Sequence, residues 1–135
     1  MNPAAMSDAE FLAAFEDCSL DKQAFTHAGH VRLAWVCLAL ENNLPRAAER
    51  CAAAIKRFAE FHGAGMKFHR TLTLAFMHLL HARFKPGETF AAFSARNPEL
   101  FENARVLIAA HYSDALLDNQ KSRTAFMPPD RAPLP

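Results

Sequence analysis

Two histidines lie three residues apart at the start of the apolar run 26–40. If this run is a helix, successive residues turn by about 100°, so His27 and His30 present two imidazoles on one side. The positive N-terminal end of a helix disfavours imidazolium, which keeps both rings neutral and able to bind a metal or act as bases. These residues are the first candidates for chemistry.

A third histidine is predicted to face the core from the start of another helix, over 69–84. It shares one stripe, within about 80°, with residues at helical spacing: Thr73, Phe76, Met77, Leu80 and Phe84. Zinc and iron need nitrogen or oxygen donors that converge from two or three elements. We therefore predict a site in which His27, His30 and His69 bind a small molecule or a divalent transition metal, zinc or iron.

Further side chains are assigned to this predicted site. Tyr112, the one tyrosine of the chain, is placed as a catalytic proton donor beside the three histidines. Arg70 can hold a carboxylate or phosphate of a small molecule. Thr71 and Thr73 can orient a ligand oxygen, or bond back to a carbonyl one turn earlier. Trp35, in the apolar run, completes the ligand-binding set. The fourth metal ligand stays open between Glu41, His111, Tyr112 and water.

A structural role for the histidines is the competing hypothesis. Two histidines at this spacing occur on helices by chance, and His78 and His81 repeat it with His78 on the predicted solvent face. His62 precedes a glycine and suits the negative end of a helix. In this hypothesis the protein is an interaction or dimerisation module, with an exposed apolar patch on the third or fourth helix.

No motif identifies a reaction. A nucleophile elbow, a phosphate-binding loop, a dinucleotide fingerprint and the usual zinc-protease and di-iron patterns are all missing from the sequence. Whether the protein is an enzyme stays open. For an enzyme, we expect a neutral histidine as general base, or a bound metal as Lewis acid.

The composition predicts an all-α fold. Alanine, leucine and phenylalanine dominate, and four glycines are few for a turn-rich β architecture. The length of 135 residues suits a single domain over 1–135. We expect a compact bundle of about six to seven helices over 7–125, built around a buried central helix at 26–40.

Capping residues predict where the helices begin: Ser7 with Glu10, Thr26, Pro45, Thr89, Asn97 with Pro98, and Ser113. Asn103 is expected to divide the sixth segment. Prolines at 128, 129, 133 and 135 forbid a helix at the C-terminal end of the sequence. We expect an extended arm over 126–135 that docks through Phe126, Met127 and Leu134.

Charge and cysteine usage narrow the partners. A formal net charge of +1 creates no field for nucleic acid or anionic lipid. Cys18, Cys37 and Cys51 form no paired framework. The first residues lack a signal-peptide pattern, and the longest apolar run is about half the roughly 20 residues of a membrane span. We expect a cytoplasmic protein without nucleic-acid or membrane partners, whose partner is a small-molecule ligand or a second copy in a homodimer.

Several short blocks are similar to those of a group of small bacterial helical proteins of unknown function. The blocks appear in order as Phe-Thr-His-Ala-Gly-His-Val-Arg-Leu-Ala-Trp (25–35), Phe-His-Arg-Thr-Leu-Thr (68–73), Tyr-Ser (112–113), Pro-Asp (129–130) and Pro-Leu-Pro (133–135). The resemblance brings no activity with it. It implies that the candidate histidines, both threonines and Tyr112 belong to the shared blocks. Phe68 stands where the group is expected to have tyrosine.

Overall fold

The computed structural model describes residues 2–135, and every regular element in that range is helical. The fold class is therefore all-α, as the composition predicts. Single 3-10 turns lie at Pro3–Ala5, Lys22–Ala24 and Gly65–Lys67. The α-helices found in residues 2–135 are α1 Asp8–Glu16, α2 His27–Glu41, α3 Leu44–Phe61, α4 Arg70–Arg83, α5 Phe90–Arg96, α6 Glu99–Glu102, α7 Ala104–Ala109, α8 Asp114–Asp118 and α9 Gln120–Thr124.

The elements form two compact units that divide between Phe68 and His69. We call the part up to Phe68, with α1 to α3, unit 1, and the part from His69, with α4 to α9, unit 2. The single domain expected over 1–135 stays a prediction.

In unit 1, α2 packs against both α1 and α3. Val31, Leu33 and Val36 are fully buried although they point in different directions around the helix. A helix that is apolar on all sides must be covered by neighbours, which is why α2 forms the centre of this unit. The burial of α2 also fixes the position of its first turn, which carries His27 and His30.

Side-chain caps set the helix starts in unit 1, as the sequence predicts. Ser7 and Glu10 form the complete capping box of α1, and the Thr26 hydroxyl accepts the Gly29 amide at the start of α2. The third helix begins one residue earlier than expected, because the Asn43 side chain accepts the Arg46 amide and leaves Pro45 in the second helical position.

Unit 2 is built from shorter helices around a small apolar cluster. The buried members are Ala75, Leu79, Ile108 and Tyr112, and Leu134 is among the residues that pack against them. Thr89 and Ser113 cap α5 and α8 as predicted.

The helix count within residues 2–135 exceeds the expected six to seven. Asn103, at φ −130°, divides α6 from α7, as the sequence indicates. No pattern in the sequence predicts α9, which begins where the Asn119 side chain accepts the Lys121 amide. Five residues without an apolar stripe carry no periodic signal. None of the helices in the described range is both long and apolar enough to cross a membrane.

Gly29 allows α2 to begin against the preceding 3-10 turn. A Cβ atom built at Gly29 would lie 2.1 Å from the carbonyl oxygen of Ala24, so any side chain there forces the backbone apart. Because His30 follows directly, this close approach also fixes the candidate site.

We predict that Gly29→Ala lowers the free energy of unfolding by about 1–3 kcal/mol, since the clash with backbone outweighs the helix preference of alanine. Urea denaturation followed by circular dichroism measures the change. Ala28→Gly is the matched control in the same turn, and Ala28 is exposed. Its cost should stay below about 1 kcal/mol. A Gly29→Ala protein as stable as the parent would refute the steric argument.

Candidate functional site

His27 and His30 lie together in the first turn of α2, but their surroundings differ. His27 is exposed, whereas His30 is largely covered. Burial, together with the smaller effect of the nearby charge of His27, lowers the pKa of His30 to about 4. His30 is therefore neutral at physiological pH, as the sequence predicts, although burial and not the helix end is the main cause.

His30 joins a cluster of aromatic rings in unit 1. Its ring meets Phe25 edge-on with centroids 4.4 Å apart, and Phe25 lies 5.1 Å from Phe58 of α3. Phe15 of α1 contacts both of these phenylalanines. The cluster therefore joins all three helices of the unit at the end where α2 begins and α3 terminates.

A second histidine reaches the same cluster from the other helix. His62 is the C-cap of α3, which agrees with the helix-end position inferred from the sequence. Its ring lies 4.4 Å from Phe58, four residues earlier, and 5.0 Å from Phe61. Phe25 therefore contacts the imidazole of His30 from α2, and Phe58 contacts the imidazole of His62 from α3.

The two histidines share an unusual property. The Nε2 atoms of His30 and His62 are buried and have no hydrogen-bond partner among residues 2–135. Most buried polar atoms in proteins are paired, and leaving one unpaired costs about 1–3 kcal/mol. This is the feature of unit 1 that packing does not explain.

His69, the third predicted site residue, is the N-cap of α4 in unit 2. Its Nδ1 accepts the Leu72 amide at 3.1 Å, so the ring proton must be on Nε2. Nε2 lies 2.8 Å from the carbonyl oxygen of Leu117 and donates to it. Both ring nitrogens are therefore committed to holding α4 and α8 in this arrangement.

Ser122 of α9 approaches the same ring. Its hydroxyl lies 3.4 Å from Nε2 of His69 and 2.6 Å from the carbonyl oxygen of Asn119. An activated serine must donate its proton to an unprotonated histidine nitrogen. Here Nε2 carries a proton, so the pair has the wrong polarity for a nucleophile and base.

The polar residues assigned with His69 bind the segment after α9. Thr71 donates to the carbonyl oxygen of Ala125 and accepts the Met127 amide, at 3.0 and 3.1 Å. Tyr112 donates to the carbonyl oxygen of Met127 at 2.7 Å, and burial, with the charge of Asp130, raises its pKa to about 12. Thr73 bonds back to the carbonyl oxygen of His69, which is the structural alternative.

The structure thus brings the predicted residues together in two groups. His27 and His30 share one turn of unit 1, and Trp35 is buried further along that helix. His69, Arg70, Thr71 and Thr73 begin α4 in unit 2, where Thr71 and Tyr112 meet at Met127. Within residues 2–135, no three histidine, cysteine, aspartate or glutamate side chains are placed to hold a metal ion. The site formed by three histidines stays a prediction.

Sequence reasoning missed His62 and Ser122. A signal for His62 exists, because it follows the core residue Phe58 by four positions and so lies on the same helical face. No such signal exists for Ser122. Its hydroxyl meets the carbonyl oxygen of Leu117, five residues earlier in another helix, and the ring of His69, the N-cap that lies 53 residues earlier.

No protein-family model, curated protein or solved structure matches this chain. The similarity to small bacterial helical proteins therefore stays an expectation.

The lowered pKa of His30 predicts an acid-sensitive stability. As the pH falls from 6.5 to about 4, the unfolded chain binds a proton at His30, whereas the folded chain does not. The free energy of unfolding therefore declines by up to about 3 kcal/mol across this range, and the effect of His30 is complete below it. In His30→Phe the decline across this window should be smaller by that amount. Urea denaturation at several pH values measures it.

The control is His81→Phe at an exposed position of α4, which should keep the decline of the parent. Identical pH profiles for His30→Phe and the parent protein would contradict the burial of a neutral His30.

The two bonds of His69 predict a graded loss of stability. His69→Ala removes the cap and the link to Leu117, which should cost about 1–3 kcal/mol. His69→Asn restores an acceptor for the Leu72 amide and should recover part of the loss. Thermal and urea unfolding compare the variants, and equal stability of the alanine variant and the parent would refute the capping role.

Proposed function

We propose that unit 1 carries a binding site for a small molecule or a divalent transition metal ion, formed by imidazoles of two helices. His30 of α2 and His62 at the end of α3 supply the two nitrogens, and the phenylalanines between them supply apolar walls. His69 is left out because both its ring nitrogens are engaged in unit 2.

The observation that carries the proposal is that the Nε2 atoms of His30 and His62 are buried and find no hydrogen-bond partner in the described range 2–135. A neutral imidazole nitrogen offers a lone pair to a metal or to a hydrogen-bond donor, or donates its own proton in the other tautomer. A ligand would satisfy both nitrogens and remove their desolvation penalty.

The rings around these nitrogens narrow the class of ligand. Phe25, Phe58 and Phe61 all contact one of the two imidazoles, so the surroundings are apolar. Such walls suit a small aromatic molecule with one or two polar groups, the usual composition of a small-molecule site. A metal ion would need two further ligands from water or from the bound molecule, because zinc prefers four.

Substitution by phenylalanine separates binding from folding. In His30→Phe and His62→Phe an apolar phenyl ring, slightly larger than imidazole, replaces the ring that carries the buried Nε2 atom, so stability at neutral pH should be unchanged or higher. Binding should fall at least tenfold in each variant. The probes are cobalt(II), followed by its visible absorption, and phenol, followed by imidazole nitrogen chemical shifts in the full-length protein.

His81→Phe is the matched control, because His78 and His81 could chelate cobalt on the surface of α4. This variant should bind both probes as the parent does. The proposal fails if neither probe perturbs His30 and His62, if binding survives both substitutions, or if only His81→Phe abolishes it.

A second candidate function is that of an interaction module. Exposed apolar side chains at and just beyond the end of α3 favour it. Phe61 at the end of α3 is 67% exposed, and Met66 in the following 3-10 turn is 88% exposed. Self-association through this surface should weaken in Phe61→Ser and Met66→Ser, as measured by light scattering. Probe binding at His30 should be unaffected in Met66→Ser.

A further inference from the structure

Residues 126–135 of unit 2 are bound along their whole length. At one end Thr71 and Tyr112 hold the amide and the carbonyl of Met127. In the middle, the carboxylate of Asp130 accepts from both the amide and the hydroxyl of Ser113, at 2.8 and 2.5 Å. These contacts all come from residues of the helical body.

The second half of the segment is held in the same way. The ring of His111 donates through Nδ1 to the carbonyl oxygen of Ala132, and its own carbonyl accepts the Arg131 amide, both at 3.0 Å. Leu134 packs against the apolar cluster around Tyr112. Main-chain polar groups, one carboxylate and one apolar side chain are therefore all recognised, as in the binding of an extended peptide.

The helical body is not complete without this occupant. Thr71 and Tyr112 are almost fully buried; the Thr71 hydroxyl accepts the Met127 amide, and the Tyr112 hydroxyl donates to the Met127 carbonyl oxygen. Removing the segment would expose the apolar cluster and leave both hydroxyls without these partners. We call the surface formed by Thr71, His111, Tyr112, Ser113 and the cluster the arm groove.

The segment is also suited to leave and rebind. Its prolines at 128, 129, 133 and 135 restrict the backbone of the released chain, so less conformational entropy is lost on binding. They also prevent it from folding into a helix.

We propose that residues 126–135 form an exchangeable arm, which occupies the arm groove of a second copy of the chain and produces a two-fold symmetric dimer. The occupant follows from the contacts, because the groove is complementary to this sequence and an identical segment makes the same bonds. Exchange of identical elements is a low-cost route to dimers.

The expected concentration range follows from the tether. In the monomer the arm is held near its own groove at an effective concentration in the millimolar range. The exchanged dimer should therefore be rare in dilute solution and become substantial as the protein approaches about 1 mM.

A disulfide between positions 113 and 130 can report the exchange. Full-length Ser113→Cys and Asp130→Cys proteins are refolded together from urea at high concentration and then oxidised with glutathione disulfide. A bond between these two positions in the mixture joins two molecules, and it is favoured when the arm of one molecule lies in the groove of another. Denaturing electrophoresis and peptide mass spectrometry identify the cross-linked pair.

Two controls measure random collision. Ala53→Cys, at an exposed site of unit 1, replaces Ser113→Cys in one mixture. In another, Leu134→Asp is added to Asp130→Cys to remove the apolar anchor of the arm. We expect the 113–130 cross-link to exceed both controls at least tenfold and to increase with protein concentration. A 113–130 yield equal to the controls, after co-refolding has removed any kinetic barrier, would overturn the proposal.

Discussion

Most helices of this chain are too short to be stable alone, so each needs its end groups satisfied by side chains. In α8, which has five residues, the cap at Ser113 bonds the helix end while its amide and hydroxyl also bind Asp130. In α4 the cap is His69, which also reaches Leu117. Capping residues therefore hold distant segments together as well as ending helices, and much of unit 2 depends on this double use.

The same residue type has opposite roles in the two units. His69 makes two hydrogen bonds that fix its tautomer, so its chemistry is already used for structure. His30 is instead the fourth residue of α2, and the Thr26 hydroxyl caps that helix. The His30 imidazole makes no capping bond and lies against Phe25. The position in the first turn therefore separates the histidine that is used for capping from the one that is not.

Local signals made much of the fold predictable. The capping box at Ser7, the caps at Thr26 and Thr89 and the break at Asn103 depend on residues within one turn, and the sequence displays them directly. The contacts of His69 with Leu117 and Ser122 join positions 48 and 53 residues apart. No local pattern encodes such pairs, so the inward direction of His69 could be predicted but its partners could not.

The same limit explains why the sequence does not show which imidazole nitrogens of unit 1 have partners. Spacing of histidines shows which rings share a helix face, whereas the pairing of their nitrogens depends on tertiary neighbours. From the sequence, His62 is only a residue that suits a helix end. In the structure Phe58 packs against Phe25, and His62 contacts Phe58, so His62 belongs to the apolar cluster. Among residues 2–135, where side chains satisfy so many backbone groups, the Nε2 atoms of His30 and His62 are buried and unpaired. Phenylalanine could fill either position without that penalty, whereas the proposed ligand would pair both nitrogens.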